Sequence, residues 1–188
     1  MRVIKEQLKW LERIVYFDQK DFLREKVSDH ELLNKLIRLL EEKLSNTDNE
    51  DDKYFLTGML GNMYRVNEQP EQAIEYLQES LEIAKQSNQL SREIVTKIRI
   101  GEAYKYAGKH SKALDLFDDA LQKSYAYEPS YLDFAYQHKG KCLMELSQLD
   151  EALQSFRKAL VIRKAKGDEK LVESTEQAIN YAKKLMSK

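Results

Sequence analysis

The residues able to do chemistry in this 188-residue chain are scattered, where catalysis or metal binding needs clusters. His30, His110 and His138 are the three histidines. None pairs with another histidine, a cysteine or a glutamate at a metal-ligand spacing. The acid pairs Asp51-Asp52 and Asp118-Asp119 read as solvated charges. No glycine-rich segment has the pattern of a phosphate loop. The single cysteine, Cys142, excludes an intrachain disulfide. It suits a reducing compartment and reads as a small apolar residue in a helix. These observations predict a chain that is not an enzyme and carries no cofactor or metal. Recognition chemistry recurs instead. Asn62, Glu102 and Lys141 stand 40 and then 39 residues apart, as do Arg65, Lys105 and Met144, and Phe55, Val95 and Phe134. Arg99 and His138 flank these rungs. An amide can bond a peptide main chain as donor and acceptor. Guanidinium and ammonium groups pair with carboxylates. The phenylalanines can anchor apolar side chains.

The same interval governs the residues that would position those groups. Gly61, Tyr64, Ala73, Leu77 and Ser80 form one set. Gly101, Tyr104, Ala113, Phe117 and Ala120 form a second, and Gly140, Leu143, Ala152, Phe156 and Ala159 a third. Within each set the steps are 3, 9, 4 and 3 residues. Steps of three and four share a helix face, whereas nine must span a turn. Each set therefore predicts two antiparallel helices, with small residues at the crossing. Turns fall at 67–70, at Gly108 and at 147–150. Glycine within a helix costs about 1 kcal/mol against alanine, so close packing must recover it.

Leu60-Gly61-Asn62-Met63-Tyr64 and Ile100-Gly101-Glu102-Ala103-Tyr104, each followed by Ala and then Leu or Phe, resemble tetratricopeptide repeats. The resemblance covers residues 52–167 and is closest to the long-period variety, of about 40 residues, found in kinesin light chains and in peptide-sensing regulators of Gram-positive bacteria. It departs from the family pattern at Thr57, Lys97, Lys139 and Leu143, and the repeat-ending proline is missing. It implies an all-α, right-handed helical-hairpin solenoid with no β-sheet, with units at about 52–88, 91–127 and 130–167. It also implies a concave groove lined by the first helix of each unit. The expected groove residues are Phe55, Asn62, Arg65, Arg99, Glu102, Lys105, Phe134, His138 and Lys141. A carboxylate clamp known in some members is not matched. Asn62 fits its asparagine, but Gly58, Phe134 and His138 stand where two lysines and an arginine are expected.

The flanks read as helical too. Ile4, Leu8, Leu11, Val15 and Phe22 lie near one stripe, and Trp10, Ile14 and Phe17 near another. Leu32, Leu33, Leu36, Ile37, Leu40 and Leu44 share one face of a second helix, capped by Ser28 or Asp29. Residues 1–48 are thus expected to form an N-terminal helix pair, with a loop at 45–52. Residues 168–188 are expected to form a half-polar capping helix. The formal net charge of −1 removes the usual electrostatic attraction to nucleic acid. Short apolar runs predict no membrane span, and residues 1–6 show no apolar signal core. The expected function is a cytoplasmic adaptor or scaffold that binds a protein or peptide. The alternatives are a peptide-sensing regulator and a subunit that self-associates through its N-terminal helices.

Overall fold

The computed structural model describes residues 4, 6 and 8–187, without the Glu12 side chain. The first residues of the expected N-terminal pair, most of the 1–6 stretch, and Lys188 lie outside the described residues. The order of elements is α1 (Leu11–Ile14), β1 (Val15–Asp18), β2 (Arg24–Val27), α2 (His30–Ser45), α3 (Glu50–Val66), α4 (Pro70–Gln86), α5 (Leu90–Tyr106) and α6 (His110–Tyr127). A 3-10 turn (Pro129–Tyr131) leads into α7 (Leu132–Glu145), followed by α8 (Leu149–Lys166) and α9 (Glu169–Met186).

The chain is an all-α solenoid in which α3/α4, α5/α6 and α7/α8 stack as antiparallel pairs and α9 closes the end. Local signals set the boundaries. The Asp29, Asn49 and Asp168 side chains each accept a first-turn N–H, from Leu32, Asp52 and Leu171 at 2.9, 2.9 and 3.1 Å. Pro70 opens α4, where its missing N–H costs nothing. The turn inside each pair repeats one geometry. Glu68, Gly108 and Ser147 all take positive φ, at 59°, 71° and 61°. The following N–H reaches back to the carbonyls of Tyr64, Tyr104 and Leu143.

The crossings need their glycines. A Cβ at Gly101 or Gly140 would lie 2.6 Å from Cε1 of Phe117 or Phe156, and one at Gly61 would overlap Leu77. The aromatic or leucine of the partner helix therefore fills the space, rather than the alanine beside it. In α9, Ala178, Ile179 and Ala182 bury against Leu153 and Phe156.

The N-terminal third corrects the expectation of two helices and no sheet. The first helix stops at Ile14, and the chain turns into an antiparallel β-hairpin with Val15 opposite Val27 and Phe17 opposite Glu25. Val15, Tyr16 and Phe17 are β-branched or aromatic and favour a strand. The apolar spacing that reads as one long helix stripe is shared between a short helix and this hairpin. The hairpin tip carries Phe22 and Leu23, both at positive φ (49° and 58°). Leu23 is buried against the core of α7, α8 and α9, which offsets the backbone strain. The hairpin thus straps across the solenoid from α3 to α9. The second expected helix is present as α2, with Leu33, Leu36, Ile37 and Leu40 buried.

Candidate functional site: a strapped concave trough

The hairpin lies on the concave side, along the C-terminal ends of α3, α5 and α7. Arg24 grips Glu145 through Nε and Nη2 at 3.0 and 2.6 Å. The Tyr106 hydroxyl accepts from the Glu25 N–H at 2.6 Å and donates to the Glu25 carbonyl at 3.2 Å. The Glu25 carboxylate meets Arg65 Nη2 at 2.5 Å. The Phe17 ring sits 4.5 Å from Lys141 Nζ, a cation–π contact.

Three expected groove cations are therefore taken by the fold. Lys105 is 1% exposed and pairs with Glu145 Oε1 at 3.3 Å. Lys141 is covered by the hairpin. Burial, reinforced by the nearby Lys105 charge, pushes its ammonium down to about 8. Arg65 is buried between Glu25 and Glu102, and although burial opposes its charge, the two carboxylates hold it firmly protonated. These three, expected as groove contacts, are engaged by the fold itself. Glu102 is buried as well. Its Oε1 lies 3.0 Å from His138 Nδ1. Burial raises its pKa, but Arg65 and His138 outweigh that and hold it well below the usual carboxylate range. For His138 the balance is reversed, and burial depresses the imidazole despite Glu102. Phe55 is also displaced from its expected role: it packs against the core formed by α2 and α3.

What remains open is a trough of two adjoining cavities. One cavity of about 350 Å³ is walled by Val95, Ile98, Tyr131 and Phe134, with Asn62, Arg65, Arg99, Glu102, His138 and Glu25 supplying polar groups. The other, of about 380 Å³, lies between α3 and β1 and is lined by Leu11, Val15, Tyr16, Phe17, Met59 and Val66. Asn62, Arg65 and Glu25 border both. Among the described residues, the Asn62 amide and the Arg99 guanidinium have no hydrogen-bond or ion-pair partner. Arg99 lies over Gly58, its Nη1 2.9 Å from where a Cβ there would be. Burial lowers its pKa, with only distant charges from Tyr54 and Glu102 in compensation. The trough thus offers a free amide, a free guanidinium and an apolar wall. Asn62, Arg99, Phe134 and His138 come together as the repeat spacing expects.

The sequence reading missed Glu25, Arg24, Tyr106 and Glu145, the groups that seat the hairpin. The β-branched and aromatic run Val15-Tyr16-Phe17 was the available local signal. No group of three or more His, Cys, Asp or Glu among the described residues could hold a metal ion. No described helix is long and apolar enough to cross a membrane. Cys142 is buried, and burial pushes its thiol up to about 11, the behaviour of an inert core residue.

Family models described as tetratricopeptide repeat match residues 55–124 and 135–165. The chain belongs to the tetratricopeptide repeat family. No curated protein matches its sequence. Among solved structures it is similar to a Rap protein complexed with Competence and Sporulation Factor, with a TM-score of 0.75 and 20% identity over 94% of this chain and 46% of that one. A Rap conjugation gene regulator of a plasmid, in complex with the Phr* peptide, gives a TM-score of 0.63 and 18% identity over 81% and 48%. The tetratricopeptide domain of Arabidopsis FLU gives 0.56 and 20% over 62% and 99%. The chain therefore spans about half the length of the two Rap proteins. At these identities the likeness establishes the fold.

Proposed function

We propose that this tetratricopeptide chain is a non-catalytic module that binds a protein or peptide through the concave trough, acting as a cytoplasmic adaptor or scaffold. One observation carries the reading. Two polar side chains suited to a peptide, Asn62 and Arg99, stand without partners among the described residues over a wall of Val95, Ile98 and Phe134, while Arg65, Lys105 and His138 each face a carboxylate. A peptide brings the complementary groups: main-chain donors and acceptors, a carboxylate and apolar side chains. The expected contact set thereby contracts to Asn62, Arg99, Phe134 and His138.

A second reading, a peptide-sensing regulator, is favoured by the two Rap structures, one of which was solved with a peptide. The two readings share the trough and differ in what lies downstream. The test is enrichment of peptides from a displayed random library on the wild-type chain, repeated on Asn62→Ala. Enriched peptides that bind the wild type and lose at least tenfold in affinity on Asn62→Ala support the trough. Enriched peptides indifferent to Asn62→Ala and to Phe134→Ala place the interface elsewhere, and no enrichment at all removes the reading.

A further inference from the structure

The edge of β1 faces the trough with main-chain groups to spare. In an antiparallel pair, opposed residues alternate between exchanging both hydrogen bonds and exchanging none. The Ser28 N–H bonds the Ile14 carbonyl at 2.8 Å, which makes 14 and 28 a bonded pair. The alternation then leaves Val15/Val27 and Phe17/Glu25 unbonded across the ladder. Two further contacts agree. The Glu25 N–H and carbonyl turn outward to the Tyr106 hydroxyl. The Val15 N–H turns away from β2 to the Leu11 carbonyl. The outer edge of β2 is therefore occupied at Glu25, and that of β1 keeps three groups unpaired among the described residues, the Val15 carbonyl and the N–H and carbonyl of Phe17.

That edge opens onto a cavity. Three successive residues, Val15, Tyr16 and Phe17, line it. Val15, Phe17 and Glu25 share one face of the hairpin and all line this cavity, and Tyr16 between them lines it too, so the space takes in the edge of β1 as well as that face. The far wall is α3, through Met59 and Asn62. Asn62 also borders the neighbouring cavity, whose lining includes Arg99 and Phe134.

Resting on the trough as the binding site, we propose that the ligand is an extended peptide that adds to β1 as a third strand. It pairs with the N–H and carbonyl of Phe17 and delivers a carboxylate to Arg99. Strand addition supplies affinity through the main chain, and side-chain pockets supply selectivity. The pocket beyond Asn62 selects an acidic group beside an apolar one, because an unpaired guanidinium stands next to Val95, Ile98 and Phe134. The carboxylate comes either from an Asp or Glu side chain or from the peptide C-terminus. The other cations near the trough are already engaged: Arg65 and Lys105 pair with Glu25, Glu102 and Glu145, and Lys141 is buried against the Phe17 ring.

The probe is a fluorescein-labelled peptide enriched from the displayed library, its binding read by fluorescence polarisation. Single backbone N-methylations along the peptide should show alternation. Amides facing β1 lose at least tenfold in affinity, roughly one hydrogen bond, and their neighbours change little. Replacing the acidic residue by its amide, or amidating the C-terminus, should cost at least tenfold in one arm and little in the other, which identifies the carboxylate. Arg99→Gln should cost the same factor against the acidic peptide and nothing further against the neutralised one. Arg99 has no ion pair to lose, so its variant should melt like the wild type. Peptides that need Asn62 but show no alternation overturn strand addition and leave the binding module standing. Unchanged affinity on Arg99→Gln overturns the carboxylate contact. A library that yields no peptide removes both this proposal and the module.

Discussion

Replacing Glu145 by glutamine should remove one defined share of the protein's loss of stability below pH 5. Glu145 ends α7 and meets two cations and an imidazole: Arg24 at 2.6 Å, Lys105 at 3.3 Å and His110 at 2.8 Å. Its side chain is 3% exposed, so solvent screening removes little of the interaction. Burial raises the carboxyl pKa, but the Arg24 hydrogen bonds and the Lys105 charge override it and bring it from 4.5 to about 2. At roughly 1.4 kcal/mol per pH unit, that difference is worth about 3 kcal/mol of folding stability. The folded-state pKa is depressed, so this stability is present above 4.5 and is lost as pH falls through about 2. Glu145→Gln should therefore cost about 3 kcal/mol near neutrality, within the range for breaking a buried pair. The gap to the wild type should close as the pH approaches 2. Urea unfolding followed by circular dichroism across that window measures it. A difference that stays constant with pH, or one below about 0.5 kcal/mol near neutrality, the size of a neutral surface change, would refute the assignment of Glu145 as the charge that anchors the hairpin.

Three further substitutions probe the scaffold. Gly101→Ala should destabilise by about 1–3 kcal/mol because its Cβ meets Phe117 at 2.6 Å; adding Phe117→Leu should recover part of the loss, and additive urea-derived values would deny the contact. Ser147→Gly should raise stability by about 0.5–1 kcal/mol, since Ser147 holds the left-handed turn that Gly108 holds in the preceding unit; a lower melting temperature would contradict this. Arg163→Met should cost about 3–5 kcal/mol, because Arg163 and the fully buried Asp133 pair at 3.0 Å with Thr175 at 2.7 Å; a mild effect in the same urea assay would mean that Lys166 suffices for Asp133.

The solenoid was legible because its packing is periodic and local. A glycine on one helix and an aromatic or leucine on the next return at the same steps, and nothing outside a unit is needed to explain them. The direction of the concave face came with the resemblance to the repeat family, and Asn62, Arg99, Phe134 and His138 line the trough. The hairpin was not legible. Residues 11–27 contain apolar spacings that fit a helix and a β-branched, aromatic run that fits a strand. The choice is made by partners some 80 or more positions away, since Tyr106 binds Glu25 and Glu145 binds Arg24. Buried cations illustrate the same limit. Lys105 and Lys141 read as groove contacts for a ligand, and lysine is rarely buried. They are buried because the hairpin lies over them, and a repeat pattern cannot report that.

The strap changes what a charge substitution in this groove can mean. Reversing Arg65 or Lys105 would leave Glu25, Glu102 or Glu145 buried against a like charge, so a loss of binding would follow from damage to the fold. The recognition chemistry must be sought in groups the fold does not consume, and Asn62 and Arg99 are those groups. Their setting is already ordered. Gly58 gives Arg99 room over α3, and the paired charges around Asn62 hold α3, α5 and α7 in register before a ligand arrives. A ligand entering such a trough loses its own freedom and forces little reorganisation of the protein, which favours affinity for a short segment. Binding should therefore depend steeply on Asn62 and Arg99 and weakly on the buried network, as long as the hairpin stays seated.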